Sequence, residues 1–488
     1  MTRASPAPPP WYAGDMTSEQ DSFDLIVLGA GPVGENVADR AVRGGLTVVL
    51  VEKELVGGEC TYWACMPSKA LLRPAQAVRA ARQVAGAAQA VTGGLDVQAV
   101  LDRRDSFTSN WKDDGQVAWV EGAGISLIRG QGRLTGVREV TVTAADGTTT
   151  VLTARHAVAV ATGSDALVPD IEGLRDADPW TSREATSAKE VPASLAIIGG
   201  GVVATEMATA YLSLGSTVTL ISRSGLLAGM EPFAGEAVAE ALRKQGATVL
   251  LDTETTRVTR TGEEVAIETS GGTTVTAAEV LVATGRTPRT RDIGLDVVGL
   301  KPGDWISTDD TMRVEGFDWL YAAGDVTHRA LLTHQGKYQA RAAGDVIAAR
   351  AQGTPVSDAP WGKHVATADH SAVPQVTFTD PEVASVGLTA AAAQKAGIRV
   401  RVVDYEIGQV AGASVHADGY QGKARMVVDE DRQVVAGVTF VGPDVSELLQ
   451  AATIAVAGEV PIARLWHAVP AYPTISEIWL RLLETYGR

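Results

Sequence analysis

The stretch LIVLGAGPVGENVADRAVRGGLTVVLVEK, residues 25–53, returns 170 residues later without a gap as LAIIGGGVVATEMATAYLSLGSTVTLISR, residues 195–223. Each copy passes from an apolar, β-branched run through a glycine-rich turn and a helical pattern to a second apolar run. That order is a βαβ unit, made twice. In the first turn Gly29, Gly31 and Gly34 have G-x-G-x-x-G spacing; in the second, Gly199 and Gly201 are followed by Ala204 at the third place. The first position makes the tight bend, the second lets a pyrophosphate approach the backbone, and the third lets helix and strand pack closely. The phosphates then meet free N–H groups and the positive end of the helix dipole. Two such turns predict an α/β chain with two Rossmann-like dinucleotide-binding domains.

The copies diverge at the tip of the second strand. The first ends in Glu52, placed to hydrogen-bond a ribose diol. The second has Ser222 followed by Arg223, where a carboxylate that would repel a 2′-phosphate is missing and a cation that would attract one is present. The first site therefore reads as FAD, and the second as NADPH in preference to NADH, with NADH still admitted.

The chain is long enough for about three domains, and with 488 residues, 45% hydrophobic and 20% charged, it has a globular composition. Its net charge of −16 argues against nucleic acid or an anionic membrane surface as partner. No apolar run is long enough to insert in a membrane. The proline-rich start MTRASPAPPPWYAGD lacks the apolar region of a signal peptide, so residues 1–21 read as a disordered tail and a cytoplasmic location is expected.

The chain has only two cysteines, Cys60 and Cys65, in GGECTYWACMPSK (57–69). A C-x4-C pair can be a redox disulfide, part of a metal site, or two inert core thiols. No further cysteine completes a zinc site and the histidines are scattered, so no metal is expected.

With GAGPVGE, GGECTYWACMPSK, ATGS (161–164), GGGVVATE, ATGRTPR (283–289), YAAGD (321–325) and YPTISE (472–477) in this order, the chain resembles the pyridine nucleotide–disulfide oxidoreductases, which include dihydrolipoamide dehydrogenase, glutathione reductase and mercuric reductase. The resemblance implies an FAD domain over 22–165, an inserted NAD(P) domain over 166–294, a return to the FAD domain over 295–360, and an α+β interface domain over 361–488 that makes a homodimer. It implies a redox disulfide in which Cys65 lies against the flavin and Cys60 meets a small-molecule acceptor. Lys69 takes the place of the lysine beside the flavin, paired with Glu206. Gly324 and Asp325 stand where the family holds the ribityl chain, and Thr333 and His334 where a helix start meets the flavin. Thr162, Gly163, Ser164 and Gly285 belong to the two ATG crossings beside the cofactors.

The chain departs from that pattern at the C-terminus. Disulfide-reducing members carry a histidine, oriented by a glutamate, where this chain has Tyr472 with Glu477 retained. An ordinary tyrosine ionises near pH 10 and is a poor base at neutral pH. His467 is a nearby substitute. The second departure is Tyr62-Trp63 between the cysteines, which reads either as core packing or as a wall for a flat acceptor. The leading expectation is an enzyme of the dihydrolipoamide dehydrogenase type acting on a disulfide or dithiol. The alternative is an NADPH-dependent reductase of a quinone or metal ion, resembling mercuric reductase but lacking its C-terminal cysteine pair. A flavin-bound regulatory protein has no positive signal.

Overall fold

The structure, a computed structural model, describes residues 21–487. The tail expected over 1–21 falls, apart from Asp21, outside the described residues. The first βαβ unit is β1 (Ser22–Leu28), α1 (Pro32–Arg43) and β2 (Val48–Glu52). β1 and β2 run parallel, with Leu25 opposite Val48 and Leu28 opposite Val51. Both faces of this sheet are covered, which is why its strands read as continuous apolar runs. Leu25, Val27 and Leu50 pack with Val37 and Ala41 of α1 and with Val346 and Ile347 of the helix Thr333–Ala351. The parallel order is Ser126–Arg129, β2, β1, Thr149–Val160, and the late strand Leu320–Ala322. The first half of Thr149–Val160 also carries an antiparallel meander with Glu139–Thr143 and Gln131–Gly136.

The second unit repeats this plan. Its parallel sheet is Thr248–Leu250, Thr217–Ile221, Ser194–Ile198 and Glu279–Val282, beside the meander Thr255–Thr261, Glu264–Thr269 and Thr274–Ala277. The chain enters and leaves it through Ser164–Ala166 and Arg286–Pro288, which pair antiparallel with Ser164 opposite Pro288. The two ATG crossings are thus joined into one ribbon.

The third unit is a five-stranded antiparallel sheet, Gln375–Thr377, Glu382–Gly387, Val434–Gly442, Lys423–Asp429 and Val400–Glu406 in spatial order. Helices Leu449–Ala457 and Ile478–Tyr486 contribute to its core. The segment 361–374 precedes the sheet and joins two cores: Ala366 packs with Met312 and Tyr321 of the first unit, and Ala372 with the core of the third.

One glycine in each repeat is required by the backbone. Gly29 has φ +100° and Gly199 φ +135°, both in the left-handed region. A Cβ at Gly29 would strike the carbonyl of Ala161, and one at Gly199 that of Ala283. Each dinucleotide turn therefore seats on the alanine of an ATG segment.

Candidate active site

The two cysteines sit at a break between helices. α2 (Gly58–Tyr62) carries Cys60, and α3 (Cys65–Arg82) begins with Cys65. Ala64 between them has φ −132° and ψ −95°, which ends one helix and starts the next. No side chain caps α3, so Cys65 stands at the uncapped positive end of an 18-residue helix, where a thiolate is favoured. Both thiols are free and hydrogen-bonded to each other. Thr333, the first residue of the helix Thr333–Ala351, places Oγ1 3.4 Å from Cys65 Sγ.

These surroundings split the pair. The hydrogen bond from Cys60, with help from Thr333 and Lys69, lowers the Cys65 thiol to about 6 against the penalty of burial. The same bond, together with burial, pushes Cys60 up. Lys69, one turn into α3, donates from Nζ to Glu206 Oε2 at 2.7 Å. Glu206 is 3% exposed and accepts a second hydrogen bond from the Phe378 N–H at 3.0 Å. The Lys69–Glu206 pair thereby binds the cysteine helix to the second nucleotide unit.

A cleft opens beside Cys60, lined by Gly29, Gly31, Glu52, Gly163, Asp325 and Thr333, among others. α1 starts there without a side-chain cap, so its first N–H groups are open to an anion. Glu52 is held at the end of β2 by the N–H groups of Ala30 at 2.8 Å and Glu54 at 2.7 Å. Ser164 is 2% exposed and donates to Asp325 Oδ2 at 2.5 Å, while Arg286 donates to Ser164 Oγ at 2.6 Å. The N–H of Gly324 is held by Gln339 Oε1 at 2.8 Å. Thr162 donates to the Arg289 carbonyl at 2.8 Å, and Gly285 has φ +148° at the start of the return ribbon. This elongated cleft, with open amides at one end and a fixed carboxylate near them, fits a dinucleotide.

At the second turn Gly199, Gly201 and the fully buried Ala204 begin the helix Val202–Ser213, also uncapped. Ser222 is 4% exposed and lies beneath Gly200, whereas Arg223 is exposed and makes no ion pair among the described residues. Of the two, Arg223 is the group free to meet a ligand.

His334 contacts the Pro374 carbonyl at 2.8 Å. Tyr62 is 1% exposed, and its hydroxyl donates to the Val56 carbonyl at 3.0 Å. It is therefore a core residue and not part of an acceptor wall. Trp63 meets the Tyr62 ring edge-on and carries the Arg183 guanidinium 4.2 Å above its own ring. Tyr472 is 76% exposed and His467 is exposed, and neither hydrogen-bonds a cysteine of its own chain among the described residues. Glu477 accepts from Arg481 at 2.5 Å, and its other oxygen is buried without a partner among the described residues, so it makes no hydrogen bond to Tyr472 of its own chain there.

Sequence reasoning passed over a cluster next to Cys60. Glu59 accepts from Arg183 at 2.8 Å and from Arg289 at 3.0 Å, and Arg183 also holds Glu54 at 2.8 Å. Glu59 and Arg289 lie inside the quoted motifs, but nothing in either motif says that they meet. Among the described residues no histidine, cysteine and carboxylate group could hold a metal, and no helix is long and apolar enough to cross a membrane.

Comparisons with known proteins agree with this geometry. The family model described as pyridine nucleotide-disulphide oxidoreductase matches residues 23–353, and that family's dimerisation domain matches 373–482. Dihydrolipoyl dehydrogenase of Chlamydia trachomatis is 33% identical over 467 residues, covering 94% of this chain and 96% of the relative. Mercuric reductase of Shigella flexneri is 33% identical over 484 residues, covering 97% of this chain and 82% of the relative. Among solved structures, the HOCl-induced flavoprotein disulfide reductase RclA from Escherichia coli superposes with TM-score 0.80 at 22% identity, covering 95% of this chain and 99% of that one. LpdA from Mycobacterium tuberculosis superposes with TM-score 0.80 at 24% identity, with the same coverage. The chain belongs to the pyridine nucleotide-disulphide oxidoreductase family, whose members use FAD and NAD(P)H.

Proposed function

We propose that this pyridine nucleotide-disulphide oxidoreductase is a homodimeric disulfide reductase or dithiol dehydrogenase that works through Cys60 and Cys65. The observation that carries the reading is the pair itself: two hydrogen-bonded thiols at the break between α2 and α3, flanked by Thr333 and Lys69 and opening on the dinucleotide cleft. FAD, when bound, supplies two-electron exchange between the nicotinamide and the cysteine pair. Glu52, the α1 amides and Asp325 are the groups that would hold it.

The chain's own chemistry then runs between sulfurs. In the reduced pair, the Cys60 thiol gives its proton to water as its sulfur forms a bond to one sulfur of the acceptor. The acceptor S–S bond breaks, and its electron pair leaves on the second sulfur, which takes a proton from water. The Cys65 thiolate attacks the Cys60 sulfur of the mixed disulfide, and the bond to the acceptor sulfur breaks; that sulfur leaves as a thiolate and takes a proton from water, with Cys60 and Cys65 left joined. NADPH restores the dithiol. The low-lying Cys65 thiol supports this order, because it supplies the thiolate needed for the second displacement at neutral pH.

A second reading, reduction of a quinone or metal ion, draws support from the tyrosine at position 472 and from the mercuric reductase relatives. The buried Tyr62 removes one of its supports, since only Trp63 remains to offer a ring face. An acceptor panel of lipoamide, small disulfides, quinones and Hg²⁺ with NADPH separates the two. Disulfide turnover that stops on alkylation of the dithiol supports the first reading. Quinone turnover insensitive to alkylation, without disulfide turnover, replaces it with the second.

A further inference from the structure

Asp369 carries a buried carboxylate that the chemistry above does not use. It stands on the short turn Thr367–His370, in the segment that leads into the third unit, and its side chain is 1% accessible. Three donors satisfy it. Gln335 Nε2 donates to Oδ1 at 2.8 Å, while Gln339 Nε2 and Arg329 Nε donate to Oδ2 at 2.9 Å and 2.8 Å. Arg329 also donates to Asp310 Oδ1 at 2.6 Å. A carboxylate enclosed in this way fixes the donors around it, because a hydrogen bond to a charged group is about twice as strong as a neutral one.

Gln339 carries that order to the cleft. Its side chain is fully buried, and its Oε1 accepts from the Gly324 N–H at 2.8 Å. The amide therefore has one workable orientation: the peptide N–H needs its oxygen, and the carboxylate needs its NH2. Gly324 lines the cleft and has φ +81° and ψ −155°, a region open to glycine and costly for other residues. A Cβ there would meet Val33 of α1 at 2.9 Å. Asp325 follows directly, so the setting of the Gly324 peptide decides where the Asp325 carboxylate begins.

We propose that Asp369 is a positioning residue of the FAD site: through Gln339 it holds the Gly324 peptide, and with it Asp325, in the arrangement that retains the cofactor. The inference rests on the assignment of the cleft to FAD and is independent of which acceptor the enzyme reduces. It keys cofactor retention to the segment 361–374, which is itself anchored where the Ala366 N–H donates to the Asp310 carbonyl at 2.8 Å.

The structure contains its own control. Gln335 lies one turn before Gln339 on the helix Thr333–Ala351 and binds the same carboxylate. Among the described residues it makes no hydrogen bond to Gly324. A role confined to filling the space around Asp369 would give both glutamines the same weight.

The test is FAD retention, read as the flavin fluorescence that appears when the holoenzyme is diluted. Asp369→Leu and Gln339→Met should each raise the FAD dissociation constant about tenfold, the equivalent of one buried hydrogen bond. The double variant should lose no more than either single one, since both act on the same Gly324 bond. Asp369→Asn should stay near the parent, because its oxygen still accepts from Gln339 while Gln335 turns its own amide to meet the new NH2. Gln335→Met should also stay near the parent. General loosening of the fold would instead weaken FAD in every variant. If Asp369→Leu does not fold, Gln339→Met against Gln335→Met decides the matter. An unchanged constant in Gln339→Met overturns the inference, as do losses that add in the double variant or a loss in Gln335→Met equal to that in Gln339→Met. A parent enzyme that holds no FAD overturns the cleft assignment as well.

Discussion

Lys69 of α3 donates to Glu206 of the second nucleotide unit at 2.7 Å, and the two partners differ in exposure, with side chains 35% and 4% accessible. Removing either partner should therefore have unequal effects. Lys69→Met leaves a buried carboxylate with only the Phe378 N–H, whereas Glu206→Gln leaves an ammonium that can turn to water. A buried pair broken from one side costs about 3–5 kcal/mol, and the partial exposure of Lys69 reduces that to about 1–3 kcal/mol here. Urea denaturation of the holoenzyme should show Lys69→Met as the less stable of the two variants. Equal losses would contradict the asymmetry.

The Cys65 thiol should titrate as an acid. Its depressed value means that the thiolate is present above about pH 6 and is lost as pH falls through that value. Thiolate absorbance of the NADPH-reduced enzyme should rise with a midpoint near that pH. Thr333→Val removes one of the stabilising hydrogen bonds and should move the midpoint upward by up to about one unit. A midpoint near 8.5, the value of an unperturbed thiol, would contradict the assignment.

Tyr62→Phe should affect folding and not acceptor choice. The hydroxyl donates to the Val56 carbonyl inside the core, so its loss should cost about 1 kcal/mol in denaturant unfolding. The KM for each acceptor should stay within about twofold of the parent, well under the factor of 10 that 1.4 kcal/mol represents. An acceptor-specific rise in KM would return Tyr62 to the acceptor site.

The nicotinamide preference should rest on Arg223. Arg223→Ala should raise the KM for NADPH about tenfold and leave that for NADH little changed, since a single exposed arginine–phosphate contact contributes about 1.4 kcal/mol. A parallel change for both coenzymes would show that Arg223 does not read the 2′-phosphate.

The doubled fold was legible because each βαβ unit announces itself locally, through β-branched runs and glycines whose backbone angles no other residue adopts easily. Lys69 and Glu206 were legible only through the resemblance, since 137 residues separate them. Contacts made by side chains across units left no periodic trace. Glu59 with Arg183 and Arg289, and the packing of Ala366 on the first unit, depend on tertiary contacts that spacing cannot encode. Tyr62 was ambiguous for a related reason: a five-residue helix gives too short a pattern to tell an inward ring from an outward one.

The claim that Cys60 is the sulfur that meets the acceptor is tested most directly by Cys60→Ser, assayed as FAD-loaded enzyme with NADPH against a panel of small disulfides and lipoamide. Disulfide turnover should fall to background while oxidation of NADPH through the flavin by dioxygen continues. Disulfide turnover that persists at a rate comparable to the parent would contradict the account.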